Sequence, residues 1–138
     1  MMSNDESLRA AANLAVVRRY VEAWKSGDLA AIFACYHDDF TLHYGGAHSL
    51  AGTHAGKPAA LAALAEFSKR TGRKLVAILD VMAGQERAVV IAREHFDNGA
   101  LIADLERVLV YRIADGLLRE CWLHDADQPL IDRFLAVS

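Results

Sequence analysis

Cysteine is scarce in this chain. Only Cys35 and Cys121 occur, and no CxxC or metal-ligand spacing involves them. That excludes a disulfide framework and a zinc ribbon. Both lie within apolar segments, so they are expected to be buried free thiols in a reduced cytoplasm. Proline is as rare, with Pro58 and Pro129 alone, and no linker, repeat or low-complexity tract interrupts the chain. No run of Lys and Arg occurs and the formal net charge is -3, so there is no electrostatic footprint for nucleic acid. No apolar run approaches bilayer length and the first residues, Met1 to Glu6, are polar. Neither a membrane partner nor a signal peptide is expected, and the cytoplasm is the expected location.

What remains is an ordinary globular composition, 54% hydrophobic and 24% charged over 138 residues. It is enough for one domain with a proper core. We expect a single domain over 1–138, with residues 1–6 disordered. Leu14, Val17, Tyr20, Val21 and Trp24 recur at helical spacing, predicting a helix over about 5–26. Gly27 can end it and Asp28 can cap a second helix carrying Leu29, Ile32, Phe33 and Tyr36. A third runs over 57–70, with Pro58 in its first turn and Ala60, Leu61, Leu64 and Phe67 as its buried stripe. Between the second and third helices, Phe40 to Gly56 suggests a short strand and a glycine-rich hairpin or loop. Four strands follow, over 75–82, 87–96, 101–113 and 117–124, and a short helix starts near Gln128-Pro129, capped by Asp127. Helices first and strands later argue for an α+β fold.

Asn98-Gly99 and Asp115-Gly116 are both two-residue hairpin signals, and such loops fix register. If both hold, Arg93 faces Asp104, His95 faces Ile102, Ile91 faces Glu106, and Val110 faces Cys121. One sheet face then collects Val89, Ile91, Arg93, His95, Asp104, Glu106, Val108, Val110, Cys121, Leu123 and Asp125. The other collects Leu105, Leu109, Tyr111, Ile113, Leu118 and Trp122, with Glu94, Arg107, Glu120 and His124. Both are largely apolar, so helices are expected on one and a second copy of the chain on the other. The charged cluster on the first face is a candidate pocket floor or a plain cross-strand ion pair.

Arg19-Tyr20-Val21-Glu22, Gly27-Asp28, Ala31-Ile32, Tyr36 and Asp38-Asp39-x-Thr41 resemble the opening of the ketosteroid isomerase and SnoaL-like group of the nuclear transport factor 2-like superfamily. The resemblance continues in Ala51-Gly52-Thr53-His54-Ala55-Gly56, in Val110-Tyr111-Arg112-Ile113-x-Asp115-Gly116, in Glu120-x-Trp122 and from Asp127 to Phe134. It implies a cone-shaped, cystatin-like roll of curved antiparallel sheet around helices. It also implies chemistry on small apolar substrates, without a cofactor, inside the cone.

By that resemblance Tyr20 takes the place of an oxyanion-holding tyrosine. The base position falls on His43 or Tyr44, depending on the direction of counting. The protonated-acid position falls on Val108 and an epoxide hydrolase's Arg-x-Asp falls on Arg93-x-His95, so neither machinery is complete. The resulting expectation is a small apolar ligand bearing a carbonyl or hydroxyl. His43 acts as base and Tyr20 as donor, His95 and Asp104 assist, and Trp24, Tyr44, Arg93, Glu106 and Val108 contact the substrate. A His95–Asp104 dehydratase and a non-catalytic binding or dimerisation module are the alternatives. The six histidines form no metal-binding spacing, so no metal is expected.

Overall fold

The computed structural model describes residues 3–136. Helix α1 spans Asn4–Ser26, α2 Leu29–Ala34, α3 Lys57–Thr71 and α4 Gln128–Phe134. The strands are β1 Tyr36–Tyr44, β2 Gly52–His54, β3 Lys74–Ala83, β4 Arg87–Asp97, β5 Ile102–Ala114 and β6 Leu117–Asp125. They form one six-stranded sheet in the order β2-β1-β6-β5-β4-β3. All pairs are antiparallel except β1 with β6.

Local chemistry sets the helix ends. Ser3 and Glu6 exchange hydrogen bonds with each other's backbone N–H in a capping box. Of the segment expected to be disordered, Ser3 to Glu6 thus form the cap and first turn of α1, while Met1 and Met2 lie outside the described residues. Gly27 ends α1 in the left-handed conformation and Asp28 caps α2, as their order suggests. Helix α2 is shorter than expected. It stops at Ala34, and Tyr36 opens β1 instead of closing the helix. Asp127 accepts from the Leu130 N–H at the start of α4.

The two hairpins depart from the expected register in different ways. At the first, Asn98 Oδ1 accepts from the N–H groups of both Ala100 and Leu101, which widens the loop to Asn98–Leu101. His95 therefore faces Asp104, Arg93 faces Glu106 and Ile91 faces Val108. The slip is two residues, so every β4 and β5 side chain keeps its expected face. At the second, Asp115 and Gly116 take positive φ of 56° and 70° in the expected tight turn. A bulge at Arg119 then shifts the pairing by one, so Val110 faces Trp122 and Tyr111 faces Cys121. Arg119 Nη1 donates to the Asp39 carbonyl and the Leu118 N–H to that of Cys35, fastening the bulge to the edge of β1.

That single residue turns β6 over. Cys121, Leu123 and Asp125 join Tyr111, Leu109 and Arg107 on the inner face, while Trp122, Glu120 and His124 move to the outer face with Val108 and Val110. The inner face also holds Ala88, Val90, Ala92, Glu94 and Phe96, all buried. Helix α1 lies across β3 and β4 and α3 lies against β1. Asn13 ties α1 to the β3–β4 turn through the carbonyls of Gly84 and Gln85. The buried stripe of α3 is Ala60, Ala63, Phe67 and Thr71. Leu61 and Leu64, expected in it, are only half-buried because they face a cavity.

Candidate functional site

The space between α1, α2, α3 and the inner sheet face is a cavity of about 440 Å³, within the range of small-molecule sites. Its walls are mostly apolar: Trp24, Leu29, Ile32, Phe33, Leu61, Leu64 and Leu75. Helix α2 contributes three of these and has no fully buried residue of its own. A deeper recess of about 20 Å³ lies between Tyr20, Tyr36, Arg73, Tyr111 and Cys121, with room for a single water. Burial there pushes the Cys121 thiol up to about 12, which keeps it protonated and unreactive.

A polar network from four strands lies beneath the cavity, and of its members Glu94 borders the cavity itself while Tyr44, expected to contact a substrate, lies behind it. Glu94 on β4, Arg107 on β5, Asp125 on β6 and Tyr44 on β1 all point inward, because the bulge has brought Asp125 into phase with Arg107. Arg107 donates through Nε to Asp125 Oδ1 at 2.5 Å, through Nη1 to Glu94 Oε2 at 3.0 Å and through Nη2 to the Tyr44 hydroxyl at 2.8 Å. Tyr44 donates in turn to Asp125 Oδ2 at 2.7 Å. The guanidinium lies 4.3 Å from the Phe67 ring centroid and has no exposure to solvent. Burial pushes the Tyr44 phenol up, against the pull of the Arg107 charge, so Tyr44 stays a proton donor.

One atom of this network is left over. Glu94 Oε1 is buried without a hydrogen-bond partner, while its residue lines the cavity. Arg73 Nη1 stands 3.7 Å from it, beyond hydrogen-bond length.

Tyr20 also lines the cavity. Its oxygen accepts from the Tyr36 hydroxyl at 3.2 Å. Burial raises its pKa, while its tyrosine neighbours Tyr111 and Tyr36 and the Arg73 charge work the other way. The three rings pack edge-on, with Trp24 tilted against Tyr20 at 5.9 Å.

Several expected site residues are elsewhere. His43 points away from the cavity. It stacks on Trp122, bonds Thr53 Oγ1 through Nδ1 and contacts Glu120 through Nε2. Between the two possible base positions, the strand turns Tyr44 inward and His43 outward. His95 and Asp104 do meet, at 2.5 Å, yet both are exposed on the outer face. Arg93 pairs there with Glu106 at 3.0 Å, not with Asp104. Val108 lies between them and the β6 residue His124, again outside. The pocket-floor alternative for this cluster is therefore corrected to the cross-strand ion pairs.

Conversely, Glu94, Arg107, Arg73 and Asp125 were not among the expected site residues. A signal for two of them exists. Glu94 and Arg107 stand in phase with the apolar residues Val90, Ala92, Leu105 and Leu109, where an unpaired charge would be costly. Among the described residues there is no grouping of His, Cys, Asp and Glu that could hold a metal, and no helix long and apolar enough to cross a membrane.

The model of the SnoaL-like domain matches residues 17–121, three quarters of the chain and most of the cavity's walls. The chain belongs to the SnoaL-like domain family. An uncharacterized protein of Mycobacterium tuberculosis is 26% identical over 127 residues, 91% of this chain and 97% of that one. Bal32a, from a soil-derived mobile gene cassette, superposes with a TM-score of 0.82 at 26% identity, covering 92% of this chain and 98% of that one. A putative SnoaL-like polyketide cyclase from Jannaschia sp. CCS1 shares the fold, with a TM-score of 0.73 at 18% identity over 100% and 99% of the two chains.

Proposed function

We propose that this SnoaL-like protein binds a small, largely apolar carbonyl compound in its cavity and catalyses cofactor-free proton transfer next to the carbonyl. The observation that carries the proposal is the buried Glu94 Oε1, which has no partner and borders the cavity. A carboxylate oxygen left this way costs stability, of the order of 1–3 kcal/mol or more, unless something arrives to use it. Glu94 takes the proton from the carbon beside the carbonyl. The C–H pair becomes the C=C bond of the enolate, and the carbonyl π pair moves onto oxygen. Tyr20 donates a hydrogen bond to that oxygen, with the Arg73 charge nearby. Return of the proton from Glu94 to another carbon completes an isomerisation or primes a ring closure. The base is thus Glu94 and not His43, whereas Tyr20 keeps the role its position suggests. The outer face, with Val89, Ile91, Val108, Val110 and Trp122 half-buried, is proposed to pair two copies of the chain.

The test is deuterium uptake by mass spectrometry, with flat ketones and enones, 1-tetralone among them, incubated in heavy water. Wild-type protein is expected to exchange the position next to the carbonyl. Glu94→Gln lowers the rate by about 100-fold or more, Tyr20→Phe lowers it less, and His43→Ala leaves it unchanged. Exchange that survives Glu94→Gln overturns the assignment. A panel that binds without exchange makes this a binding module.

A further inference from the structure

Two polar groups of opposite sense stand side by side on the largely apolar cavity wall, apart from the hydroxyls of Tyr20, Tyr36 and Ser68. Glu94 Oε1 only accepts, and it cannot turn away, because Arg107 holds Oε2 at 3.0 Å. Arg73 only donates. Its Nε is tied to Ser68 Oγ at 2.8 Å and its guanidinium lies 5.1 Å from the Phe67 ring centroid, so its plane is set. Nη1 then stands 3.7 Å from Glu94 Oε1, too far to satisfy it and near enough for one ligand to reach both. The formal charges of Arg73 and Arg107 balance those of Glu94 and Asp125, so a neutral ligand disturbs this floor less than an ion does. Trp24, Phe33, Leu64 and Leu75 offer apolar walls to a ring system.

We infer, on the footing of the binding reading above, that the cavity selects neutral ring compounds carrying a hydroxyl and a carbonyl on adjacent carbons. The hydroxyl donates to Glu94 Oε1 and the carbonyl accepts from Arg73 Nη1. A simple ketone leaves the carboxylate oxygen unpaired, and a simple alcohol leaves the guanidinium without an acceptor. A site built of buried polar groups discriminates strongly against a ligand that lacks one partner.

The experiment is calorimetric titration with three matched probes, 2-hydroxy-1-tetralone, 1-tetralone and 2-tetralol. The hydroxyketone is expected to bind wild-type protein at least about tenfold more tightly than either single-group probe. In Arg73→Met, whose parent side chain is 20% exposed and outside the Arg107 network, the hydroxyketone falls to the affinity of the alcohol. In Glu94→Gln its advantage over the ketone shrinks. Should Glu94→Gln fail to fold, the wild-type and Arg73→Met titrations still decide. Equal affinities for ketone and hydroxyketone in wild-type protein, or an unchanged preference in Arg73→Met, overturn the inference. Exchange of 1-tetralone protons without any hydroxyketone preference sinks this inference and leaves the proton-transfer proposal standing. A preference without exchange does the reverse.

Discussion

Arg107 has no exposed surface, and three partners, Glu94, Asp125 and Tyr44, share its guanidinium. Its removal would leave Asp125 buried without a cation and Glu94 with Arg73 alone, at 3.7 Å. Arg107→Met is therefore expected to lower unfolding stability by about 3–5 kcal/mol in a denaturant titration. The outer pair His95–Asp104 is as short, but its side chains are 38% and 55% exposed. There His95→Ala should cost under about 1 kcal/mol, because solvent screens the pair and competes for its hydrogen bonds. A loss from His95→Ala matching that from Arg107→Met would refute this ordering. Tyr20 entered as a candidate through the family resemblance, and local helical periodicity placed it on the inner face of α1. Glu94 and Arg107 were visible as charges in an apolar phase, but their pairing with each other and with Asp125 depends on three strands at once.

Among the elements, the two hairpins show how local signals succeed and fail. Asp115-Gly116 forms the turn its residues favour, since both adopt positive φ there. Three residues further on, the Arg119 bulge reverses β6, and it is held from outside the hairpin, by the carbonyls of Asp39 in β1 and of Cys35 at the end of α2. No hairpin rule contains that information. The end of α3 supplies a sharper test. Gly72 caps the helix at φ 60°, and a Cβ there would lie 2.2 Å from the Asp97 carbonyl oxygen at the end of β4. Gly72→Ala combines left-handed strain with a clash against backbone. It is expected to cost at least about 1–3 kcal/mol and to show as a lower thermal midpoint. An unchanged midpoint would mean that the α3–β4 junction can move aside.

In the molecule as a whole, helices cover one face of the sheet and leave the other with a partly apolar strip through Val89, Ile91, Val108, Val110 and Trp122. If two copies pair there, light scattering at micromolar concentration gives twice the 15.1 kDa chain mass. Ile91→Glu then yields monomers with an unchanged circular dichroism spectrum. A monomeric wild type would remove the dimer proposal and leave the cavity chemistry untouched. The sequence by itself determined the helical segments, the caps at Gly27, Asp28 and Asp127, the α+β class and the SnoaL-like resemblance. These rest on periodicity, turn chemistry and short-range order along the chain. Only the tertiary structure decided which sheet face meets the helices, that Tyr44 and not His43 turns inward, and that Glu94 and Arg73 border the cavity with Arg107 buried behind Glu94. A strand's side chains alternate with period two, so one bulged residue, held by a neighbouring strand, exchanges inside for outside along the rest of its length.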